Sequence, residues 1–151
     1  MKRIILLIAL VLLPLSLIGQ SGNKTVRFGA DASLDCFLDT DNLPSSNFSG
    51  GLGVRARWGK QDQWLNLVGG LRFIYGPRLQ GFQVPIMLNA NLLKLEKASA
   101  YLGAGYEFDF IGTYWGCMKF QTGLLANEHF DFRVFFKPYQ ADLGIGFTYY
   151  F

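Results

Sequence analysis

Ala141-Asp142-Leu143-Gly144-Ile145-Gly146-Phe147-Thr148-Tyr149-Tyr150-Phe151 alternates without a break. Ala141, Leu143, Ile145, Phe147, Tyr149 and Phe151 are apolar or aromatic, and Gln140, Asp142, Gly144, Gly146, Thr148 and Tyr150 interleave with them. Side chains of a strand point to opposite faces in turn, so this stretch predicts a strand with one greasy face and one polar or small face. No helix holds such a pattern, because its faces repeat every 3.6 residues.

The same alternation recurs upstream, between turn signals. The first strand runs from about Thr25 to Phe37, with Val26, Phe28, Ala30, Ala32, Leu34 and Cys36 on one face and Arg27, Gly29, Asp31, Ser33 and Asp35 on the other. The second sets Phe48, Leu52, Val54, Ala56 and Trp58 against Ser49, Gly51, Gly53, Arg55 and Arg57. The third sets Leu65, Leu67, Leu71, Phe73 and Tyr75 against Asn66, Val68, Gly70, Arg72 and Ile74. The fourth spans Phe82 to Leu92; Pro85 cannot donate to a ladder, so a bulge is expected there or a later strand start. The fifth carries Leu102, Ala104, Tyr106, Phe108 and Phe110 against Gly103, Gly105, Glu107 and Asp109. The sixth, from Met118 to Leu124, is the faintest pattern. The seventh, Phe130 to Phe136, follows a tight turn at Asn127-Glu128 and ends at Pro138.

Eight strands and no helical period predict an all-β chain. Composition agrees: half of the 151 residues are hydrophobic, 16% are aromatic and 18 are Gly. The N-terminus differs. Lys2 and Arg3 precede an apolar run from Ile4 to Leu13, then Pro14 and small residues near Gly19. This is the pattern of a secretory signal peptide, too short and too early for a comfortable spanning helix. The expected division is a signal peptide over 1–19 and one domain over 20–151, with a cut after Ser21 as the alternative junction. An uncleaved anchor is the competing reading. Losing Lys2 and Arg3 takes the basic residues from 14 to 12 against 11 acidic ones, so the mature domain is near neutral. No basic run with interleaved aromatics suggests nucleic acid.

The polar face collects Arg27, Arg55, Arg57, Arg72, Lys119 and Arg133 with Asp31, Asp35, Glu107, Asp109, Asp131 and Asp142, among many glycines. In a soluble barrel that face would meet water. In a membrane barrel the order inverts, apolar out and polar in. Inversion is favoured on three grounds. Glycines leave long Arg side chains room in a narrow lumen. Outward aromatics bunch at strand ends, with Phe48, Tyr75, Phe82, Phe110 and Phe136 at one rim and Trp58, Phe130 and Phe151 at the other. Strands of about 10 residues suffice to cross a tilted bilayer. The expectation is an eight-stranded antiparallel up-and-down transmembrane barrel. Its lumen would be filled by charges from Arg27, Asp31, Asp35, Arg55, Arg57, Arg72, Glu107, Asp109, Arg133 and Asp142. A soluble lipocalin-like barrel is the alternative.

Phe82-Gln83-Val84-Pro85-Ile86-Met87-Leu88, Ala100-Tyr101-Leu102-Gly103-Ala104-Gly105 and Leu143-Gly144-Ile145-Gly146-Phe147 with Tyr149-Tyr150-Phe151 carry a resemblance. The chain resembles the small outer-membrane β-barrel family common in Bacteroidetes, the porin-like or PorT-like barrel domain. That resemblance implies residence in the outer membrane and Phe147, Tyr149 and Phe151 as a signal to the barrel assembly machinery. It supplies no catalytic residue.

His129, the only histidine, reads as a turn residue. Lipid A deacylases, barrels with enzymatic activity, use His-x-Ser-Asn, whereas this chain has His129-Phe130-Asp131-Phe132. Gly51-x-Gly53 and Gly103-x-Gly105 lie within strands and are not phosphate loops. No catalytic, cofactor or metal site is expected. The competing functions are a structural or interaction barrel, a narrow channel for small solutes, and a lipid-modifying enzyme. Cys36 and Cys117 fall on strands expected to be distant, so no intrachain disulfide is expected.

Overall fold

The computed structural model describes residues 26–38, 48–59, 63–77, 80–110 and 115–151. The leader over 1–19, the loop Asp39–Ser46 and the turn residues 60–62 lie outside the described residues. Eight strands close a barrel in chain order: β1 (Val26–Phe37), β2 (Phe48–Trp58), β3 (Leu65–Tyr75), β4 (Gly81–Lys94), β5 (Ala98–Asp109), β6 (Cys117–Ala126), β7 (Phe130–Lys137) and β8 (Asp142–Tyr150). Every neighbouring pair is antiparallel. The terminal strand closes the ring on β1, from Gly29↔Tyr150 to Phe37↔Asp142. Closure removes both sheet edges, which an open eight-strand sheet would expose to pairing with other chains.

Period-2 alternation decides which residues fill the lumen. Along β7, Asp131, Arg133, Phe135 and Lys137 are buried while Phe130, Phe132, Val134 and Phe136 are exposed. The same division holds along β3, where Asn66, Val68, Arg72 and Ile74 are buried and Leu65, Leu67, Leu71, Phe73 and Tyr75 are exposed. The barrel is therefore inside-out relative to a water-soluble core.

Pro85 does not bulge β4. The β3–β4 register is the same on both sides of it, Gly69↔Ile86 and Arg72↔Gln83, and between these pairs Val84 and Pro85 lack β3 partners. Pairing to β5 runs on through Pro85↔Glu107. The missing N–H thus falls on the β3 side and costs one local gap in the ladder, not a shift. The irregularity of β4 lies between Asn91 and Leu93 instead, and it turns both Leu92 and Leu93 outward.

Of two turns, one agrees with the sequence reading and one corrects it. The Asn127-Glu128 turn forms as expected, with both residues left-handed at φ 51° and 60° and the His129 N–H donating to the Ala126 carbonyl at 3.1 Å. Between β7 and β8, Pro138–Gln140 make one 3-10 turn, closed by a left-handed Ala141 whose N–H reaches the Pro138 carbonyl. Ala141 therefore ends a turn, and the last strand starts at Asp142.

Outward aromatics gather toward both ends of the barrel. Tyr75, Phe110, Trp115 and Tyr139 stand exposed at the end of the β3–β4, β5–β6 and β7–β8 connections, and Trp64, Phe130 and Phe151 at the end where the chain enters β1 and leaves β8. Trp58 is only half-buried, beside the Cα of Gly69. Between the rims lie Leu52, Val54, Leu71, Leu88, Leu102, Leu124 and Ile145, all exposed. On the β7–β8 side the rings continue inward from the rim: Phe130–Tyr149 centroids are 5.2 Å apart and Phe132–Phe147 4.9 Å. The girdle is therefore not confined to strand ends.

Candidate functional site

The lumen holds two ionic layers. The one nearer the β7–β8 connection centres on Glu107, which is fully buried. One Glu107 oxygen lies 2.9 Å from Arg72 Nη2 and 3.1 Å from Lys137 Nζ, and the other 2.7 Å from Lys119 Nζ. Asp35 supports the same cations, 3.2 Å from Arg72 and 2.9 Å from Lys137, and Asp142 meets Lys137 at 2.5 Å. Arg72 also donates from Nε to Gln83 at 2.9 Å and from Nη1 to Ser33 at 2.8 Å. The Phe135 ring sits among these charges, 3.9 Å from Lys119 Nζ and 5.4 Å from the Arg72 guanidinium carbon. Cations over an aromatic face recover part of the solvation that burial removed.

The second layer lies nearer the chain termini. Arg133 Nη2 is 2.5 Å from Asp31, and Thr148 bridges them, accepting from Arg133 at 2.8 Å and donating to Asp31 at 2.6 Å. Arg55 approaches Asp131 at 3.6 Å and Asp31 at 4.0 Å. The Tyr101 hydroxyl donates to Asp131 at 2.6 Å. Gln121 links the layer onward, accepting from Arg55 and donating to Asn89 at 2.8 Å. At the mouth, Arg27 pairs with Glu128 of the β6–β7 turn, both partly exposed.

Small residues make this packing possible. A Cβ on Gly146 would lie 2.6 Å from the Arg133 guanidinium, and one on Gly144 would lie 2.2 Å from a carbon of the Phe135 ring. Glycine at these inward positions is space given to a neighbour's long side chain, as the sequence pattern implied.

The structure brings together Asp31, Asp35, Arg55, Arg72, Glu107, Arg133 and Asp142 in one lumen, and places Arg27 at its mouth. Two residues differ from expectation. Asp109 is half-buried at the rim and takes a hydrogen bond from Gln140 at 3.4 Å, with no ion pair among the described residues. Arg57 is buried, yet none of its guanidinium nitrogens has a hydrogen-bond partner; it lies over the Tyr150 ring at 5.4 Å. Like charges on adjacent strands do not by themselves bring a carboxylate to each. Two residues central to the lumen escape the sequence reading, Lys137 and Tyr101. Carrying the β7 alternation one residue past Phe136, and the β5 alternation one step before Gly103, would have placed both inward.

His129 is held at its turn, with Nδ1 2.7 Å from the Tyr150 carbonyl and its ring stacked on Tyr149. Cys36 and Cys117 are both free thiols, on β1 and β6, which are not neighbours. Among the described residues no group of three or more His, Cys, Asp or Glu is arranged to hold a metal ion.

No family model matches this chain, and no curated protein matches it. Among solved structures it is similar to a de novo designed transmembrane β-barrel. The TM-score is 0.56 at 13% identity, covering 87% of this chain and all of that one. At such identity the likeness establishes the fold alone, a closed antiparallel β-barrel.

Proposed function

We propose that this chain is a small integral β-barrel of a bacterial outer membrane, with a structural or interaction role and a lumen closed by its own side chains. The observation that carries the reading is the inverted burial: Arg72, Lys119, Lys137, Glu107 and Asp35 are each at most 2% exposed, while Leu52 is 72% and Ile145 58% exposed. Water would reverse that preference, and a bilayer satisfies it. Strands of 8 to 14 residues suit a hydrocarbon core crossed at a tilt. An N-terminal leader read from the sequence and the PorT-like pattern of β4, β5 and β8 support export to that membrane. Catalysis has no part in the proposal.

The closed lumen separates this reading from a narrow channel. An eight-strand barrel is just wide enough for side chains to fill, and two ionic layers with Phe135 between cations occupy that width here. The test is reconstitution of the purified chain in planar bilayers, after recovery from the membrane fraction with detergent. Flat current traces at moderate voltage are expected. Steady unitary currents would promote the channel, and recovery from soluble periplasm would remove the membrane assignment.

We further propose that Phe147, Tyr149 and Phe151 form the signal read during assembly. Phe151 is 73% exposed, its ring meets Tyr149 at 5.7 Å, and its N–H donates to the Phe28 carbonyl. Deleting Phe151 removes one ladder bond at an end, worth about 1 kcal/mol at most. The expected result is a several-fold loss of folded barrel in cells, read by heat-modifiable gel migration, with nearly unchanged urea resistance of the barrel that does fold. Normal yield would argue against the signal.

A further inference from the structure

Among the buried charges of the described residues, cations outnumber anions. Arg55, Arg57, Arg72, Lys119, Arg133 and Lys137 are buried, against Asp31, Asp35, Glu107, Asp131 and Asp142, six cations to five anions. Geometry identifies the surplus. Each of the other five cations lies within 4.0 Å of a carboxylate, whereas among the described residues Arg57 has neither a carboxylate within that distance nor a hydrogen bond. Only 3% of Arg57 is exposed, so water does not replace the missing acceptor. What it does have is the face of Tyr150, whose hydroxyl is also without a hydrogen-bond partner, and the more distant charges of Glu128 and Asp131.

Directly across the β1–β2 ladder, Arg57 pairs in register with Arg27 on the same inward face. Opposed residues of this kind hold their Cβ atoms about 5 Å apart, and like charges there repel. Glu128, the carboxylate at this mouth, is engaged with Arg27, and Asp131 makes no ion pair with Arg57, lying instead within reach of Arg55 and Arg133. We infer that Arg57 and Arg27 form a site for one small oxyanion, a free phosphate or a carboxylate of similar size, at the terminus-side mouth of the lumen. Two guanidinium forks offer paired N–H donors to the oxygens of such an ion, the geometry in which arginine binds oxyanions best. The unpartnered Tyr150 hydroxyl adds a donor beside Arg57. Arg27, part-exposed at the rim, gives the route inward from solution. A free ion is implied, not a lipid headgroup, because both arginines face the lumen and the apolar surface lies on the other side of the wall. The inference concerns the lumen alone and stands or falls independently of the bilayer reading.

A ligand that binds only the folded barrel raises its resistance to unfolding as its concentration rises. The full-length chain, folded in detergent micelles, would be unfolded in urea while inorganic phosphate replaces chloride at constant ionic strength. The wild-type midpoint should climb steadily with phosphate, and Arg57→Gln should abolish that climb. Should Arg57→Gln not fold, Arg27→Gln at the half-exposed rim carries the test. It removes one arm and releases Glu128 to Arg57, so the climb should again be lost. A wild-type midpoint indifferent to phosphate, or a full wild-type response in either variant, overturns the site.

Discussion

Replacing Glu107 by Leu is expected to destabilise the barrel more than any other single change in the lumen, by about 3–5 kcal/mol. The carboxylate touches three cations at 2.7, 2.9 and 3.1 Å. Its loss falls unevenly on them. Arg72 keeps Asp35, Gln83 and Ser33, and Lys137 keeps Asp35 and Asp142. Lys119 loses its one ion pair and keeps the Phe135 ring at 3.9 Å and the more distant charge of Asp35, and it is 2% exposed. A buried ammonium without a carboxylate is the costly species, since removing one partner of a buried pair leaves the full desolvation of the other. The charge surplus would also grow by one. Urea unfolding of the variant in micelles, followed by tryptophan fluorescence, measures the effect. The double variant Glu107→Leu with Lys119→Met removes the stranded charge together with its partner. Its loss should be less than half that of the single change, because an apolar pair of similar volume is often as stable as a buried ion pair. An unchanged midpoint for Glu107→Leu alone would mean that the lumen is wet enough to solvate Lys119, and the closed-barrel reading would go with it.

The fold was legible because a strand has an integer period. Each alternating run states which residues share a face, and the glycines among the charges, the aromatics at strand ends and the strand length favoured the barrel in which the charged face is hidden over a soluble one. Parity put Arg72, Glu107 and Arg133 on one face, and those three features turned that face inward. Three things were not legible, each for a physical reason. Parity says which face a residue occupies but not its height along the barrel, so the division into two ionic layers had to come from the strand stagger. It also does not say where a strand stops. Lys137 sits one residue before Pro138 and was read as loop, yet it is the cation that joins Asp35, Glu107 and Asp142. Nor does composition distribute partners: equal numbers of cations and anions on one face suggested general pairing, and Arg57 remained without a carboxylate. Pro85 shows the limit of a propensity rule. A missing donor disrupts only the neighbour it would have faced, and β4 continues because β5 still holds it.

Ile145→Arg is the change whose outcome depends most on what surrounds the barrel. Ile145 lies midway along β8, 58% exposed, between Leu34 of β1 and Val134 of β7, which are themselves exposed. In a water-soluble barrel an arginine at such a position would be a surface substitution, worth within about 0.5 kcal/mol of nothing, because the guanidinium would stand in solvent. Against hydrocarbon the same charge meets no donor or acceptor and is expected to cost ~2–4 kcal/mol near the middle of the bilayer, falling toward the interfaces. Position therefore supplies an internal control. Phe151→Arg, at the rim and 73% exposed, should cost ~1 kcal/mol or less in equilibrium stability although it lies on the same outward face. Both variants would be folded into lipid vesicles and titrated with urea beside the wild type. A large loss for Ile145→Arg with a small one for Phe151→Arg is the depth dependence that only a membrane imposes. Equal small effects at the two positions would place the apolar band against something other than lipid, such as a partner protein that covers the barrel wall.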